Sequence, residues 1–461
     1  MEALLGSFHQ HYCHIIETFT LFSRLNLILT AIILLFLVIA YRFWRRTHIF
    51  LVDFVCYRAP ETNRAPVSSF VEHLEHHEDE LTKEAIDFQK KVVLRSGIGS
   101  EAYMPKGLCI IPVNSSLKYT MEEVEMVLFH VIKVLLTKHD ISPKNIDILV
   151  TNCSLTCPTP SLASMIINRF GFRSDVKSFN LSGMGCSAGM LSICLARDML
   201  KVHRNSLALV LSTEPVCCNA YRGKVKSMMI PNCLFRVGSA AILLSNRKCD
   251  REVAKYELQH VIRTHLGVKD YAYSCIIQES DEEGKIGVSL SRSVVQVAGE
   301  VLQTNLGTLG ALVLPYSEQI RFVLCILRKK IWPSKKKPAT YVPNFKKAFD
   351  HFCIHAGGKA VIDAIKTYLK LNERDIEASK MTLYRFGNTS SSSTWYSLSY
   401  LEAKGRVKKG DKIVQLCFGS GFKCNSAVWK CISRAIGNDP SNAWFDRVSR
   451  FPVEVPLVSD H

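Results

Sequence analysis

Apolar residues run almost unbroken from Leu25 to Tyr41 and give way at once to Arg42, Trp44, Arg45 and Arg46. As a helix that run measures about 26 Å, close to the roughly 30 Å of a bilayer's hydrocarbon core, so it predicts a transmembrane anchor over 25–43. A cleaved signal peptide would end in a small-residue site, not in arginines. The arginines follow the span, against Arg24 alone before it, which places everything after Phe43 in the cytosol. Residues 1–24, with Phe8, His9, His11, Tyr12 and Phe22, read as an interfacial helix or a truncated extra span. A buried core helix is the competing account of the apolar run.

Beyond the anchor, Leu51 to Ala59 reads as an extended connection, Pro60 to Pro66 as loop, and the chain to about Leu94 as mostly helical. Val124, Val127, Leu128, Val131 and Leu135 recur at helical spacing behind a Thr120/Glu123 capping box, predicting a helix to about Lys138. Ile146–Thr151, Ser206–Thr213, Ala240–Ser245 and Lys412–Phe418 are short apolar runs of the buried-strand kind. Thr159-Pro160 opens a helix that closes at Gly171, and Val176–Ser182 is a strand that runs through a glycine turn into another helix. The alternation predicts an α/β body with a substantially parallel sheet covered by helices.

Leu327 to Pro343 carries charge and proline without an apolar period and divides the body. The predicted halves are 44–328 and 344–461, joined by a basic linker over 329–343. In the second half His351–His355 alternates like a strand, stops at Gly357-Gly358 and yields to a helix through Val361, Ile365, Tyr368 and Leu369. Asn388 to Ser393 is a polar turn before a helix ending at Gly405, and the chain after Gly437 is irregular.

Cys186 stands among Gly183, Gly185, Ser187, Ala188 and Gly189, neighbours small enough for a tight turn and for close approach of a substrate to the sulfur. At a helix N-terminus the thiolate is favoured, which suits covalent catalysis; a small hydrophobe packed in a turn is the alternative. His355 and Asn388 end predicted elements of the second half. Imidazole can polarise a thiol and an amide can donate to an oxyanion, so Cys186, His355 and Asn388 form a candidate set for thioester chemistry. His351, Cys353 and His355 share a strand face but lack a fourth ligand and metal-site spacing, so no metal is expected. Gly419-Ser420-Gly421 has no Walker or GxGxxG pattern and suits close backbone approach to a substrate.

Size and charge narrow the class. With 461 residues the chain can hold two or three domains or one large duplicated fold, and its 17 cysteines are scattered without a CxxC pair, consistent with a reducing compartment. A formal charge of +17 calls for an anionic neighbour, either a membrane face or a phosphorylated substrate such as coenzyme A. Arg328-Lys329-Lys330 and Lys335-Lys336-Lys337 come with no nucleic-acid signature, so no nucleic-acid partner is expected.

Four ordered motifs, Gly183–Gly189, His351–Gly358, Arg385–Ser393 and Glu402–Arg406, resemble the plant 3-ketoacyl-CoA synthases of fatty acid elongation. More distantly they are similar to type III polyketide synthases and other thiolase-fold condensing enzymes. The resemblance implies a duplicated thiolase-like α-β-α-β-α sandwich behind an N-terminal transmembrane helix. It also implies decarboxylative condensation of a long-chain acyl-CoA with malonyl-CoA, without a cofactor. By the same resemblance Cys186 accepts the acyl group, His355 and Asn388 assist, and His265 and His351 match further family histidines. A homodimer in the endoplasmic reticulum membrane is implied, body facing the cytosol, alongside the ketoreductase, dehydratase and enoyl reductase of elongation. A polyketide synthase-like enzyme and a weakly active scaffold are the alternatives. Two features depart from the family pattern. Tyr384 replaces a usual histidine, and one clear span precedes the body where two are common.

Overall fold

The computed structural model describes residues 26–36, 47–76, 81–331, 341–437 and 439–455. Residues 26–36 form a helix, exposed throughout and roughly 16 Å long. The rest of the predicted 25–43 anchor, the whole 1–24 segment and residues 332–340 of the predicted linker lie outside the described residues. No helix among the described residues is long and apolar enough to cross a membrane.

From Ile49 onward the described chain is built on eleven strands. They are β1 (Phe50–Cys56), β2 (Ile148–Asn152), β3 (Lys177–Leu181), β4 (Leu207–Thr213), β5 (Ser239–Ser245) and β6 (Tyr256–His265). After these come β7 (Ile276–Ser280), β8 (Ile286–Leu290), β9 (His351–Ile354), β10 (Lys412–Gly419) and β11 (Lys423–Cys431). Nine make one sheet in the order β3-β2-β4-β5-β1-β6-β11-β10-β9, and β7 and β8 form a separate hairpin. Pairs β2–β3, β2–β4 and β9–β10 are parallel and the other five in the large sheet are antiparallel. The sheet is therefore mixed, not substantially parallel. Strands buried on both faces read as apolar runs in either direction, so composition cannot assign their sense.

Strand order and direction repeat. The series β2–β4–β5–β1 is matched by β9–β10–β11–β6, each parallel, then antiparallel, then antiparallel. The two series meet where Phe50 and Leu51 of β1 pair with Glu257 and Tyr256 of β6. Helix Ala188–Val202 lies on β2 and β4 and reaches β6 and β11; helix Ser393–Ala403 lies on β9 and β10 and reaches β1. Ser393 through Glu402 are buried on every side, as a helix without a polar face must be. Helix Leu117–Lys138 covers β1, β4 and β5 from outside, and helix Val294–Val313 covers β6 and β11.

Three expectations change. Leu51–Ala59 is not a connection but mostly β1, whose residues Phe50–Cys56 are all buried. Its Asp53 is held by Lys255 Nζ (2.7 Å), Lys138 Nζ (2.5 Å) and His139 Nε2 (2.9 Å). Burial alone would raise that carboxyl, but Lys255, His139 and Lys138 hold it well below the usual range. Lys255 also reaches Glu402 (2.8 Å), and Tyr256 donates to Glu402 at 2.7 Å, so the motif glutamate ties helix Ser393–Ala403 to β6. The Thr120/Glu123 capping box does not form: the helix starts at Leu117, and Glu123 instead accepts from the backbone N–H groups of Val216 (2.8 Å) and Cys217 (2.9 Å). Helix Tyr316–Ile331 runs into the stretch predicted to be a connection from Leu327.

Candidate active site

Past β3 the chain turns through Gly183 and Gly185, both at φ +66°, into the short turn Gly185–Ser187 and straight on into helix Ala188–Val202. A side chain at Gly185 is barred by that φ and by space, since a Cβ would stand 2.4 Å from the backbone nitrogen of Ser420. A Cβ on Gly189 would stand 2.3 Å from the carbonyl oxygen of Ser391. The elbow is thus pressed between the Gly419–Gly421 hairpin turn and the Asn388–Ser393 turn. Gly185→Ala is expected to cost about 1–3 kcal/mol, seen as a lower melting temperature. It should also reduce turnover at temperatures where the variant is still folded, because Cys186 is displaced.

Cys186, His265, His355, Asn388 and the Gly419–Gly421 turn line one cavity of about 420 Å³. Asn388 precedes helix Ser393–Ala403 as Cys186 precedes helix Ala188–Val202, and the strand repeat brings the two together. The Asn388 amide is fixed at both ends: Oδ1 accepts from Ser390 N (2.8 Å) and Nδ2 donates to Gly357 O (3.2 Å). One N–H of that amide remains for a ligand. His355 follows β9, its backbone N–H bonded to Leu416 O (2.8 Å) and its Nδ1 2.6 Å from Ser393 Oγ. Nδ1 is engaged, which leaves Nε2 for the cavity. His265 ends β6 and accepts from Gly267 N–H at Nδ1 (2.8 Å), so its Nε2 carries the proton.

Burial pushes the Cys186 thiol up to about 12 against an opposing hydrogen bond from Ser390, and burial lowers His355 to about 4. A helix N-terminus contributes at most ~2 kcal/mol, about 1.5 pK units, so burial overrides the expected thiolate. Thiol and imidazole both rest neutral at pH 7.

His351 is not in the cavity. It lies at the other end of β9, bonded through Nε2 to Asp411 (2.9 Å). Four strand steps separate it from His355 by roughly 13 Å, too far for a shared ion. Tyr384 does not line the cavity either. Its ring covers Gly99, where a Cβ would stand 2.4 Å from it, and meets Phe451 edge-on at 6.3 Å. Tyr384→His is accordingly expected to leave condensation within about twofold and its pH profile unmoved; a shifted profile would give the residue a part in the chemistry.

Several groups at the site were not singled out from the sequence. Glu214, just past β4, is buried and accepts from Leu155 N (2.8 Å), Ser154 N (3.0 Å) and Ser390 Oγ (3.1 Å). Burial raises its carboxyl, and the Leu155 and Ser154 N–H groups oppose the rise. Ser390 adopts φ +54°, rare for a side-chain-bearing residue. It touches Glu214 with Oγ and Asn388 with its N–H, so it positions the amide. Lys423 and the apolar Ile276, Ile277, Val288 and Leu290 of the β7–β8 hairpin complete the wall. A second, smaller cavity of about 230 Å³, lined by Phe70, Leu74, Met104 and Leu108, shares Asn219 with the first. A lone glutamate directly after an apolar strand was the one signal the sequence offered for Glu214.

An elbow cysteine opposite a histidine and an asparagine, on a repeated mixed sheet, defines a thiolase-like fold of the type III polyketide synthase kind. Solved structures agree. The 1,3,6,8-tetrahydroxynaphthalene synthase of Streptomyces coelicolor, a type III polyketide synthase, superposes with TM-score 0.64 at 18% identity, over 83% of this chain and 99% of that one. The type III polyketide synthase domain of Dictyostelium Steely1 gives TM-score 0.65 at 18% identity, over 84% and 100%. Residues 41–331 match the family described as FAE1/Type III polyketide synthase-like protein, and residues 346–431 match the 3-oxoacyl-[acyl-carrier-protein] synthase III C-terminal family. In Arabidopsis thaliana, 3-ketoacyl-CoA synthase 7 is 54% identical over 95% of this chain and 94% of its own. 3-Ketoacyl-CoA synthase 5 is 48% identical over 95% and 88%. The chain belongs to the plant 3-ketoacyl-CoA synthase family.

Proposed function

We propose that the protein condenses a long-chain acyl-CoA with malonyl-CoA to a 3-ketoacyl-CoA two carbons longer, releasing carbon dioxide and CoA. The observation that carries this is the convergence of Cys186, His355 and Asn388 on one apolar-walled cavity. Cys186 Sγ attacks the acyl thioester while its proton passes to His355 Nε2, and that proton then leaves with the CoA thiolate. Malonyl-CoA loses carbon dioxide to give an enolate, whose oxygen receives hydrogen bonds from Asn388 Nδ2 and from Nε2–H of His355. Ser393 Oγ can accept from or donate to Nδ1, so it serves both imidazole tautomers the two stages require. The enolate carbon attacks the acyl carbonyl, the C–S bond breaks, and Cys186 recovers a proton from solvent.

The β7–β8 wall suits an acyl chain, and the cavity beyond Asn219 offers room for its distal end. His265 and Lys423 offer donors for the thioester or the malonyl carboxylate. We further infer an endoplasmic reticulum location with the body in the cytosol, from the apolar run and its trailing arginines. A homodimer working with the reductases and dehydratase of elongation follows from the family resemblance. The test is malonyl-CoA labelled in its methylene carbon, supplied with a saturated long-chain acyl-CoA to membranes carrying the protein. The label should appear in a single 3-ketoacyl-CoA two carbons longer than the primer; a ladder of multiply extended or cyclised products would overturn the reading.

A further inference from the structure

Helix Tyr316–Ile331 follows the cavity-lining helix Val294–Val313 after a two-residue link, Leu314-Pro315. It is attached to the body along one side. Glu318 is fully buried and receives Lys347 Nζ (2.6 Å), Tyr341 OH (2.5 Å) and Asn344 N–H (3.0 Å). One turn further, Phe322 is half-buried, and Cys325 Sγ accepts from Tyr341 N–H.

The other side is apolar and open. Tyr316, Ile320, Val323, Leu324, Leu327 and Ile331 recur at helical intervals and fall within an arc of about 100°. Their exposures run from 44% at Leu327 to 82% at Tyr316. Arg321 and Arg328 border this stripe on one side and Lys330 on the other, all exposed; Arg321 leans back toward Glu318 at 3.7 Å. A continuous apolar stripe of this kind is rare on a free protein surface. Cations on both of its borders are the pattern of a helix lying in a membrane interface. A second copy would bring the same three cations face to face, which disfavours self-association through this surface. The helix, at about 24 Å, lies short of a span and is tied to the body at two points on one side, Glu318 and Cys325, so it suits lying flat.

We propose that helix Tyr316–Ile331 docks in the headgroup region of an anionic bilayer, as a membrane contact separate from the 25–43 segment. The apolar stripe enters the acyl boundary, and Arg321, Arg328 and Lys330 meet lipid phosphates. Because the next helix back lines the reaction cavity at Val294 and Ala298, docking fixes how that cavity is presented to the membrane.

The full chain is reconstituted with vesicles of phosphatidylcholine, with or without phosphatidylserine, containing a phospholipid with a photoreactive group in its tail. Labelled peptides are then mapped. Label is expected on 316–331 in phosphatidylserine vesicles, falling about tenfold in Val323→Glu/Leu327→Glu and in Arg321→Glu/Arg328→Glu, whose exposed positions leave the melting temperature unchanged. Label on 25–43 with none on 316–331 overturns the proposal. So does protection of 316–331 by protein cross-links to another chain, irrespective of lipid charge. Label on 316–331 with none on 25–43 upholds it and refutes the anchor.

Discussion

Cys186→Ala abolishes condensation, by about 10³-fold or more, while decarboxylation of malonyl-CoA continues within an order of magnitude. The two halves of that expectation have different physical sources. Acyl transfer needs the sulfur as a nucleophile, and no other thiol shares the cavity lining with His355 and Asn388 among the described residues. Decarboxylation needs donors placed where the enolate oxygen develops, and those belong to the second half of the chain, held by Gly357, Ser390 and Ser393. The substitution removes one atom from a turn whose shape is set by Gly185 and Gly189, so the melting temperature should hardly move. Loss of both activities together would mean that the sulfur also organises the malonyl site.

The second large effect separates His355 from Asn388. Asn388→Asp keeps the acceptor that Ser390 N–H binds but replaces the donor with a charge that repels an enolate. Condensation should fall about 10²–10³-fold while acylation of Cys186 persists. His355→Gln keeps a donor but loses the base, so acylation should fall about 10²–10⁴-fold and decarboxylation less. The pH dependence carries a sign. Burial lowers His355 to about 4, so its basic form survives as pH falls through the ordinary histidine value of about 6.5. Single-turnover acylation should therefore hold across that range and fail only toward pH 4, and the acid limb should vanish in His355→Gln. An acid limb at or above 6.5 would show that the imidazole is not buried as described.

Much of this site was legible in residue order. Glycines around Cys186 announced the elbow, and Gly171 and Lys138 marked helix ends close to where they fall. Motif order also placed His355 and Asn388 together. What was not legible depends on partners far along the chain. Strand β11, on which the sequence pattern gave no reading, carries the polar Ser426 fully inside, donating to Asn305 Oδ1 (2.8 Å), while Asn305 Nδ2 donates to Cys424 O (3.0 Å). Asp53 broke the apolar run of β1 for the same reason, its partners Lys138, His139 and Lys255 being remote. Helix Val294–Val313, β6 and the β7–β8 hairpin were not anticipated at all, and with them the wall of the cavity. Helix-end electrostatics can be inferred from a turn, whereas the burial that pushes the Cys186 thiol up cannot.

The central claim is that the fatty acyl group is carried covalently on residue 186. Incubation with a long-chain acyl-CoA in the absence of malonyl-CoA, followed by mass spectrometry of the peptides, tests it directly. One acyl group should be found on the peptide containing Cys186, discharged on addition of malonyl-CoA as the 3-ketoacyl-CoA appears. Product formation with that peptide unmodified, or with the acyl group on another cysteine, would contradict the mechanism.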